Sequence, residues 1–428
     1  MNDSTPEAYL HRIKHEIPGT EIRYKCFRNT VFAIYLLAFF LGSYVLESVG
    51  IPYTSDGGSI VFKIHVYSLL ILATVGIQGL RRGIGFFFIS PVPGLGYAPL
   101  LFLLGAIWVA VYGIMKGGTA GMAYIVDTML TPVLALFLLP CLRKEDQCRL
   151  AKMIACLIVF NSMVSIVESL GKFYLVNTTH VWIGRSSAFM AHPLNNGLIL
   201  LVCFPLFIEC FKGQNRLIVA LVCIVGMLGF GARASTALLV LPVLLFFSRE
   251  GGKFLVARSL CRKDTFLIVY FGFLISIPCL FFLVDNTGIG NRFFDSVGSG
   301  KVDVSAQTRL DVYNIFFYLT FDEWLNGATP ELMLMIPDII NNEIVENFWI
   351  GWLLQFGLIG MLPMGLALLY VNSRMLIRGH FLVKISALVF FLGSYTNNSL
   401  MAKTPLLLFY FSLVSLYFLN RQKTPPDC

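Results

Sequence analysis

Twelve long apolar segments run through this chain, and they determine its fold class before any single residue is considered. A membrane-spanning helix needs about 20 mostly apolar residues, and most of these segments approach that length. Each is a continuous apolar run, which predicts helices rather than the alternating strands of a barrel. The segments lie at 30–48, 59–79, 97–115, 121–141, 151–170, 194–211, 215–231, 235–248, 265–284, 346–371, 383–400 and 404–420. We therefore predict an all-α polytopic membrane protein, one integral membrane domain over residues 1–428 with about 12 transmembrane helices.

The composition agrees with a membrane protein and makes a soluble one implausible. Hydrophobic residues make up 57% of the chain and charged residues only 13%, against about 25% charged residues in a typical soluble domain. The net charge of +8 requires no nucleic acid partner, because most of it lies in short loops beside the segments, where it meets anionic membrane lipid.

Lysine and arginine alternate across the segments. Loops and termini on one side carry 23 of the 32 Lys and Arg residues, and the positive-inside rule makes that side cytoplasmic, with both termini inside. An outer-side cation opposes this rule and needs another reason to be there. The nine exceptions are Lys63, Lys116, Lys172, Arg185, Arg233, Arg292, Lys301, Arg309 and Lys403.

Three of the exceptions are arginines in short polar motifs. Arg185 lies in IGRSSAF, Arg233 in GARAST and Arg309 in QTRLDVY. A guanidinium binds phosphate oxygens through two parallel hydrogen bonds, so several together can hold a diphosphate. We predict that the three converge in one outward-facing pocket; the alternative for each is pairing with a lipid headgroup or a local carboxylate such as Asp311.

The GARAST motif interrupts an apolar stretch from Leu217 to Phe247. Reading this stretch as a single span would invert every later loop and contradict the lysine and arginine pattern. Two short segments joined by a tight outward hairpin preserve that pattern. Arg233 then lies at the outer interface, where an arginine by default marks a functional site.

Residues 285–345 form one large outer, periplasmic loop. A loop this long usually has elements of its own and a function, and we expect helices at Ala306–Leu319 and Leu332–Ile340. We predict a lid that folds back over the pocket and excludes water from an activated donor. Its apolar surface for docking on the membrane face would come from Phe293, Phe294, Phe316, Phe317 and Trp324.

Glu346 and Asn347 open the tenth segment in the sequence ENFWIGWLLQFGLIG. A carboxylate at the outer mouth of a span can take a proton from a sugar hydroxyl, which is the role of a general base. The alternative is an acidic residue that stabilises a helix N-terminus through the helix dipole.

The order and sidedness of these motifs resemble the O-antigen ligase and O-antigen polymerase superfamily of bacterial lipid-linked glycan transferases. The resemblance covers about residues 155–370 and rests on GRSSAFMAHPLNNG, GARAS, the loop from TRLDVY through FDEWLNGATP, and ENFWIGWLLQFGLIG. It implies a GT-C-like fold in the bacterial inner membrane. It also implies inverting transfer of a glycan from undecaprenyl diphosphate to an acceptor sugar, with no metal or cofactor.

Carried over by motif, the resemblance assigns diphosphate binding to Arg185, Arg233 and Arg309, and catalysis to Glu346 with Asn347. The family commonly has His before the Asn, whereas this chain has Glu, so His192 in AHPLNN is an alternative base. The leading interpretation is a polysaccharide polymerase acting on a lipid-linked repeat unit, and the alternative is an O-antigen ligase that transfers finished glycan to lipid A–core.

Two further classes compete with this interpretation. Charges within the apolar segments, at Lys63, Asp127 and Glu168, would suit a transporter or flippase, although a transport site belongs near the midplane rather than at the outer face. Asp322 and Glu323 would suit a metal-dependent transferase, although adjacent acids in a polar loop are usually only solvated.

Overall fold

A computed structural model describes the chain over residues 20–51, 53, 63–83, 85–88, 92, 94–119, 121–176, 185–190, 192–243, 245, 307, 310–342 and 345–421. Within these ranges the protein is all helical and contains no strand. The apolar segment 265–284 lies outside them, as do Arg309, Phe293 and Phe294.

The first half of the chain consists mainly of apolar helices. Their bounds are α1 Thr20–Phe40, α2 Ser43–Ser48, α3 Val66–Arg82, α4 Gly85–Phe88, α5 Ala98–Gly117, a π-helical turn Ile125–Leu130 continuing into α6 Thr131–Leu136, a 3₁₀ turn Leu139–Cys141, α7 Lys144–Gly171, α8 Pro193–Phe207 with a 3₁₀ turn Ile208–Cys210, α9 Gln214–Phe230 and α10 Arg233–Val243.

The large loop and the last three apolar segments complete the described architecture. They form a 3₁₀ helix Val312–Phe317, α11 Phe321–Asn326, α12 Pro330–Ile340, α13 Phe348–Arg378, α14 Phe381–Ser394, a 3₁₀ turn Ser399–Met401 and α15 Leu406–Arg421. Among the described residues, four stretches are long and apolar enough to cross a membrane: α5, α7, Pro193–Cys210 and α13. Five further apolar helices are shorter.

Small residues allow the long helices to approach one another closely. A Cβ atom on Gly105 of α5 would lie 2.8 Å from the Cα of Met364 on α13, and one on Gly226 of α9 would lie 2.6 Å from the Cβ of Ser162 on α7. The Ser165 hydroxyl also donates to the Gly226 carbonyl at 3.0 Å. Packing of small residues with interhelical hydrogen bonds is how helices associate where lipid removes the hydrophobic driving force.

Helix α13 departs from regular helical hydrogen bonding at two positions for identifiable reasons. Gly357 has φ +63°, which breaks the helical path. Pro363 has no N–H, so the carbonyl of Ile359 has no intrahelical donor. The indole Nε1 of Trp108 on α5 donates to that carbonyl at 3.0 Å, and the two helices are thereby fixed in register.

Candidate functional site

The segment that carries Arg185 is organised by a buried carboxylate. Glu168, 2% exposed near the end of α7, accepts from the Ser186 hydroxyl at 2.5 Å and from the backbone N–H of Ala188 at 3.0 Å. It also accepts from the N–H of Leu175 at 2.9 Å. Ala188 has φ +45°, a left-handed conformation that costs a non-glycine residue energy and needs such support.

The two arginine motifs within the described residues lie against each other. Helix α9 ends at Phe230 with Gly231 as its C-cap, at φ +61°, and α10 begins at Arg233, so the predicted break is confirmed. A Cβ on Gly231 would lie 3.0 Å from Cγ of Arg185, and the N–H of Ser186 donates to the Gly229 carbonyl at 3.0 Å. The Arg185 side chain therefore packs on the turn that leads into Arg233.

The N-terminus of α8 adjoins this pair. The side-chain amide of Asn196 donates to the Ser187 carbonyl at 2.7 Å, and a Cβ on Gly197 would lie 2.6 Å from Cβ of Ala232. His192 is the N-cap of α8, and its Nδ1 accepts from the N–H of Leu194 at 3.3 Å. His192 thus has the capping role that competes with its assignment as the base.

Asn347 is likewise a helix cap. Its buried side-chain oxygen accepts from the backbone N–H groups of Trp349 at 3.0 Å and Ile350 at 3.4 Å. Glu346 precedes it and is partly buried at the entrance of α13. Since the cap engages the amide oxygen, any contact of Asn347 with an acceptor sugar would use its nitrogen as a donor.

Asn397 joins these two helix N-termini, and sequence reasoning did not identify it. Its carbonyl accepts from the N–H of Phe348 at 3.3 Å, and its side-chain amide donates to the Leu194 carbonyl at 3.0 Å. The Ser399 hydroxyl, two residues on, donates to Oδ1 of Asn195 at 2.6 Å. The polar run Asn397–Asn398–Ser399 at the end of an apolar segment was the available signal.

The contacts therefore bring five of the six predicted site residues to one end of the bundle. Neighbouring contacts connect the Arg185 segment, the α9–α10 turn, the N-terminus of α8, the 397–399 turn and the N-terminus of α13. The predicted members are Arg185, His192, Arg233, Glu346 and Asn347. The sixth, Arg309, lies outside the described residues.

The described part of the large loop is folded back onto the bundle. Its buried side chains Val312, Ile315, Leu332, Ile336 and Ile340 form an apolar cluster with Ile350 and Leu354 of α13. The expected helix from Ala306 is a 3₁₀ helix over Val312–Phe317, the second expected helix starts at Pro330, and α11 was not predicted.

Two glycines fix the loop to α13 by close backbone contact. Gly327 has φ +92°, and a Cβ there would lie 2.7 Å from the Leu354 carbonyl oxygen. A Cβ on Gly357 would lie 2.2 Å from the carbonyl oxygen of Leu325. The Lys116 ammonium at the end of α5 donates to the carbonyls of Asn326 and, at 3.3 Å, Gln355.

Glu323 stabilises the loop from within. Its carboxylate accepts from the backbone N–H and hydroxyl of Thr320, at 3.0 and 2.9 Å, and from those of Thr329, at 3.1 and 2.7 Å. These bonds, the Thr320 N–H first, lower the pKa of Glu323 to about 2. Both oxygens are engaged, so a metal site at Asp322–Glu323 gains no support, and the described residues contain no group of three or more side chains suited to a metal.

A second polar cluster accounts for one of the outer lysines, Lys403. The Lys403 ammonium donates to the carbonyls of Tyr53 at 2.5 Å and Lys63 at 2.9 Å and lies 4.0 Å from the centroid of the Tyr53 ring. Burial lowers the pKa of Lys403 to about 8. Asp127 in the π-helical turn accepts from the Tyr53 hydroxyl at 2.6 Å and the His65 N–H at 3.0 Å. These charges therefore hold the outer connections in place.

No known protein-family model matches this chain, and no curated protein matches it.

Proposed function

We propose that this protein is a membrane glycosyltransferase that transfers a glycan, with inversion, from an undecaprenyl-diphosphate-linked donor to an acceptor sugar. The proposal places it in the bacterial inner membrane with about 12 spans, a GT-C-like fold and its site at the periplasmic face. The observation that carries it is the chain of contacts from Arg185 and Arg233, through α8 and Asn397, to Glu346.

The two arginines supply what a diphosphate leaving group needs. As the bond from the anomeric carbon to the phosphate oxygen breaks, negative charge grows on the diphosphate, and preorganised guanidinium groups stabilise it. The Glu168 network holds the residues that follow Arg185, and the Arg185 side chain contacts Gly231, which favours a preorganised position. Arg309 would join them from the loop.

Glu346 supplies the remaining chemistry, removal of the proton from the acceptor hydroxyl. The new carbon–oxygen bond forms as the bond to the diphosphate breaks, and a base opposite the leaving group inverts the anomeric centre. The acceptor and donor of this scheme are both glycans on a lipid carrier, which makes the protein a polysaccharide polymerase; transfer to lipid A–core would make it a ligase.

The contacts of the buried charges favour the transferase proposal over the transport alternative. Asp127 and Glu168, the charges within apolar segments that would suit a transport pathway, both accept hydrogen bonds from neighbouring chain segments. They stabilise connections at the helix ends. A transporter would instead use such charges to bind cargo near the midplane.

The test is conservative replacement of the arginines in a strain lacking the chromosomal gene. Arg185→Lys and Arg233→Lys keep the charge but lose the planar two-point grip, so polymer should fall strongly and lipid-linked repeat units should accumulate at unchanged protein level. Arg81→Lys, at an exposed position in the last turn of α3, is the matched control and should retain activity. Normal polymer in both site variants would refute diphosphate binding by these arginines.

A further inference from the structure

The described part of the loop exposes an aromatic patch formed by Phe317, Tyr318 and Phe321. Their exposed fractions are 87%, 53% and 79%. The neighbouring Phe316 and Trp324 are instead half-buried and pack on each other with ring centroids 5.2 Å apart. Large exposed apolar groups that lie together mark an interaction surface.

The position of this patch along the membrane normal is indicated by Lys116. Helix α5 is one of the four membrane-crossing candidates, and Lys116 is the basic residue of its last turn. Its ammonium therefore lies where the apolar span ends. Because it donates to the carbonyl of Asn326, the last residue of α11 lies at the same level, and Phe321 lies about 8 Å away along that short helix.

A second contact ties α11 to the same helix. The hydroxyl of Tyr112, one turn before Lys116, donates to the side-chain oxygen of Asn326 at 3.3 Å. Tyr112 stacks on Trp108 with ring centroids 6.3 Å apart. Aromatic side chains collect at membrane–water interfaces, where apolar ring and polar atom each find a suitable environment.

The charges in this part of the loop indicate which lipid region it meets. Residues 310–342 contain five acidic residues and no lysine or arginine. This segment itself therefore offers no cation to anionic headgroups, which leaves burial of its aromatic rings among acyl chains as its means of binding lipid.

We infer that Phe317, Tyr318 and Phe321 insert into the interfacial layer of the membrane leaflet at this end of the bundle and anchor the loop there. The inference goes beyond the proposed transferase activity and does not depend on it. The lipid surface is the occupant that suits both the height of Lys116 and the apolar, acidic character of the segment.

The experiment places the photo-crosslinking residue p-benzoyl-phenylalanine at Phe317 or Phe321 in the full-length protein, reconstituted in phosphatidylcholine nanodiscs. Glu331, an exposed charged residue of the same loop, is the control position. Mass spectrometry should find phospholipid adducts at least about tenfold more abundant at both aromatic positions than at Glu331, since ring burial favours insertion by about that factor.

A second bilayer tests the driving force. Replacing part of the phosphatidylcholine by phosphatidylglycerol should leave the adduct yield unchanged or lower. Equal yields at Glu331 and the aromatic positions, or adducts only with added oligosaccharide or with protein, would overturn the inference. An increase in yield with anionic lipid would also overturn it, because it would assign binding to charge.

Discussion

Glu168 shows how a side chain remote from the chemistry can decide where a guanidinium lies. Its carboxylate holds Ser186 and Ala188, the residues that follow Arg185, and it remains buried while doing so. A carboxylate accepts at both oxygens, whereas an amide accepts at only one. The identity of this residue therefore controls the conformation of the Arg185 segment.

We expect Glu168→Gln to act as a positioning defect. One accepting oxygen is replaced by a donor, so the segment should shift and donor binding should weaken, raising the KM for lipid-linked donor more than it lowers kcat. Glu145→Gln, exposed at the opposite end of the same helix, is the control and should leave both constants unchanged. A variant with reduced kcat and unchanged KM would contradict a positioning role.

Substitutions at Glu346 and His192 distinguish the two candidate general bases. His192 already uses Nδ1 to accept the Leu194 N–H, so this nitrogen is engaged in capping α8 and is less available as a base. Glu346→Gln should therefore lower the transfer rate by about 10²–10⁴-fold with donor binding retained. His192→Asn keeps a favourable N-cap and should remain active in the same assay. The opposite result, an inactive His192→Asn beside an active Glu346→Gln, would make His192 the base.

At the scale of elements, the loop depends on one capping box. Thr320 and Glu323 cap α11 reciprocally, and Glu323 also binds Thr329, the N-cap of α12. A single carboxylate thus ties together the starts of both loop helices. Since α11 and Gly327 rest on α13, this tie also maintains the contact between loop and bundle.

The depressed pKa of Glu323 makes the loop acid-labile in a defined window. Its pKa falls from an ordinary 4.5 to about 2 on folding, so its stabilisation is complete above pH 4.5 and is lost as the pH falls towards 2. Pepsin, active throughout this range, should cut within 310–342 increasingly as the pH is lowered.

Glu323→Gln tests the same point at neutral pH. The variant leaves buried donors without their acceptor, which destabilises the folded loop by about 1–3 kcal/mol. Proteinase K, which does not require lysine or arginine at the cleavage site, should therefore cleave the loop faster. Glu331→Gln, exposed in the first turn of α12, should behave as the parent. Equal cleavage of parent and Glu323→Gln would show that the carboxylate does not hold the loop.

At the scale of the whole molecule, the site contacts and the lysine cluster lie at helix ends that the charge pattern assigns to the outer side. Lys116, Asn347, Asn397 and Lys403 all sit at such ends. The basic flanks, including Arg81 and Arg378, lie at the opposite ends of α3 and α13. The predicted site residues that the structure describes and the basic flanks thus lie at opposite ends of the bundle.

Reporter fusions test this orientation. Alkaline phosphatase fused after Asn341 should be active, as expected for a periplasmic loop, and β-galactosidase fused after Arg378 should be active, as expected for a cytoplasmic helix end. Fusions after Lys212 and Ser399 should report cytoplasm and periplasm, respectively. Reversal at Arg378 but not at Lys212 would mean that the break at Gly231 does not turn the chain back.

The sequence alone located most of the apolar helices and one of the critical breaks. Continuous apolar runs predicted these helices but not α11 of the loop, and the Gly–Arg–Ser composition of GARAST located the end of α9. Both follow from local physics, since hydropathy, helix length and the left-handed preference of glycine are properties of a short stretch of chain.

The tertiary structure alone decided how the site is assembled. Asn397 donates to the carbonyl of Leu194, 203 positions away in the sequence. Glu168 accepts hydrogen bonds from the loop that follows it, although its position within an apolar segment suggested a transport role. Gly357 has no side chain, which allows close contact with the backbone of Leu325. Such partners are chosen by the packing of whole helices, which brings residues far apart in sequence together. The hydropathy of a segment does not predict that packing, because the local sequence around a buried polar group does not identify its hydrogen-bond partner elsewhere in the chain.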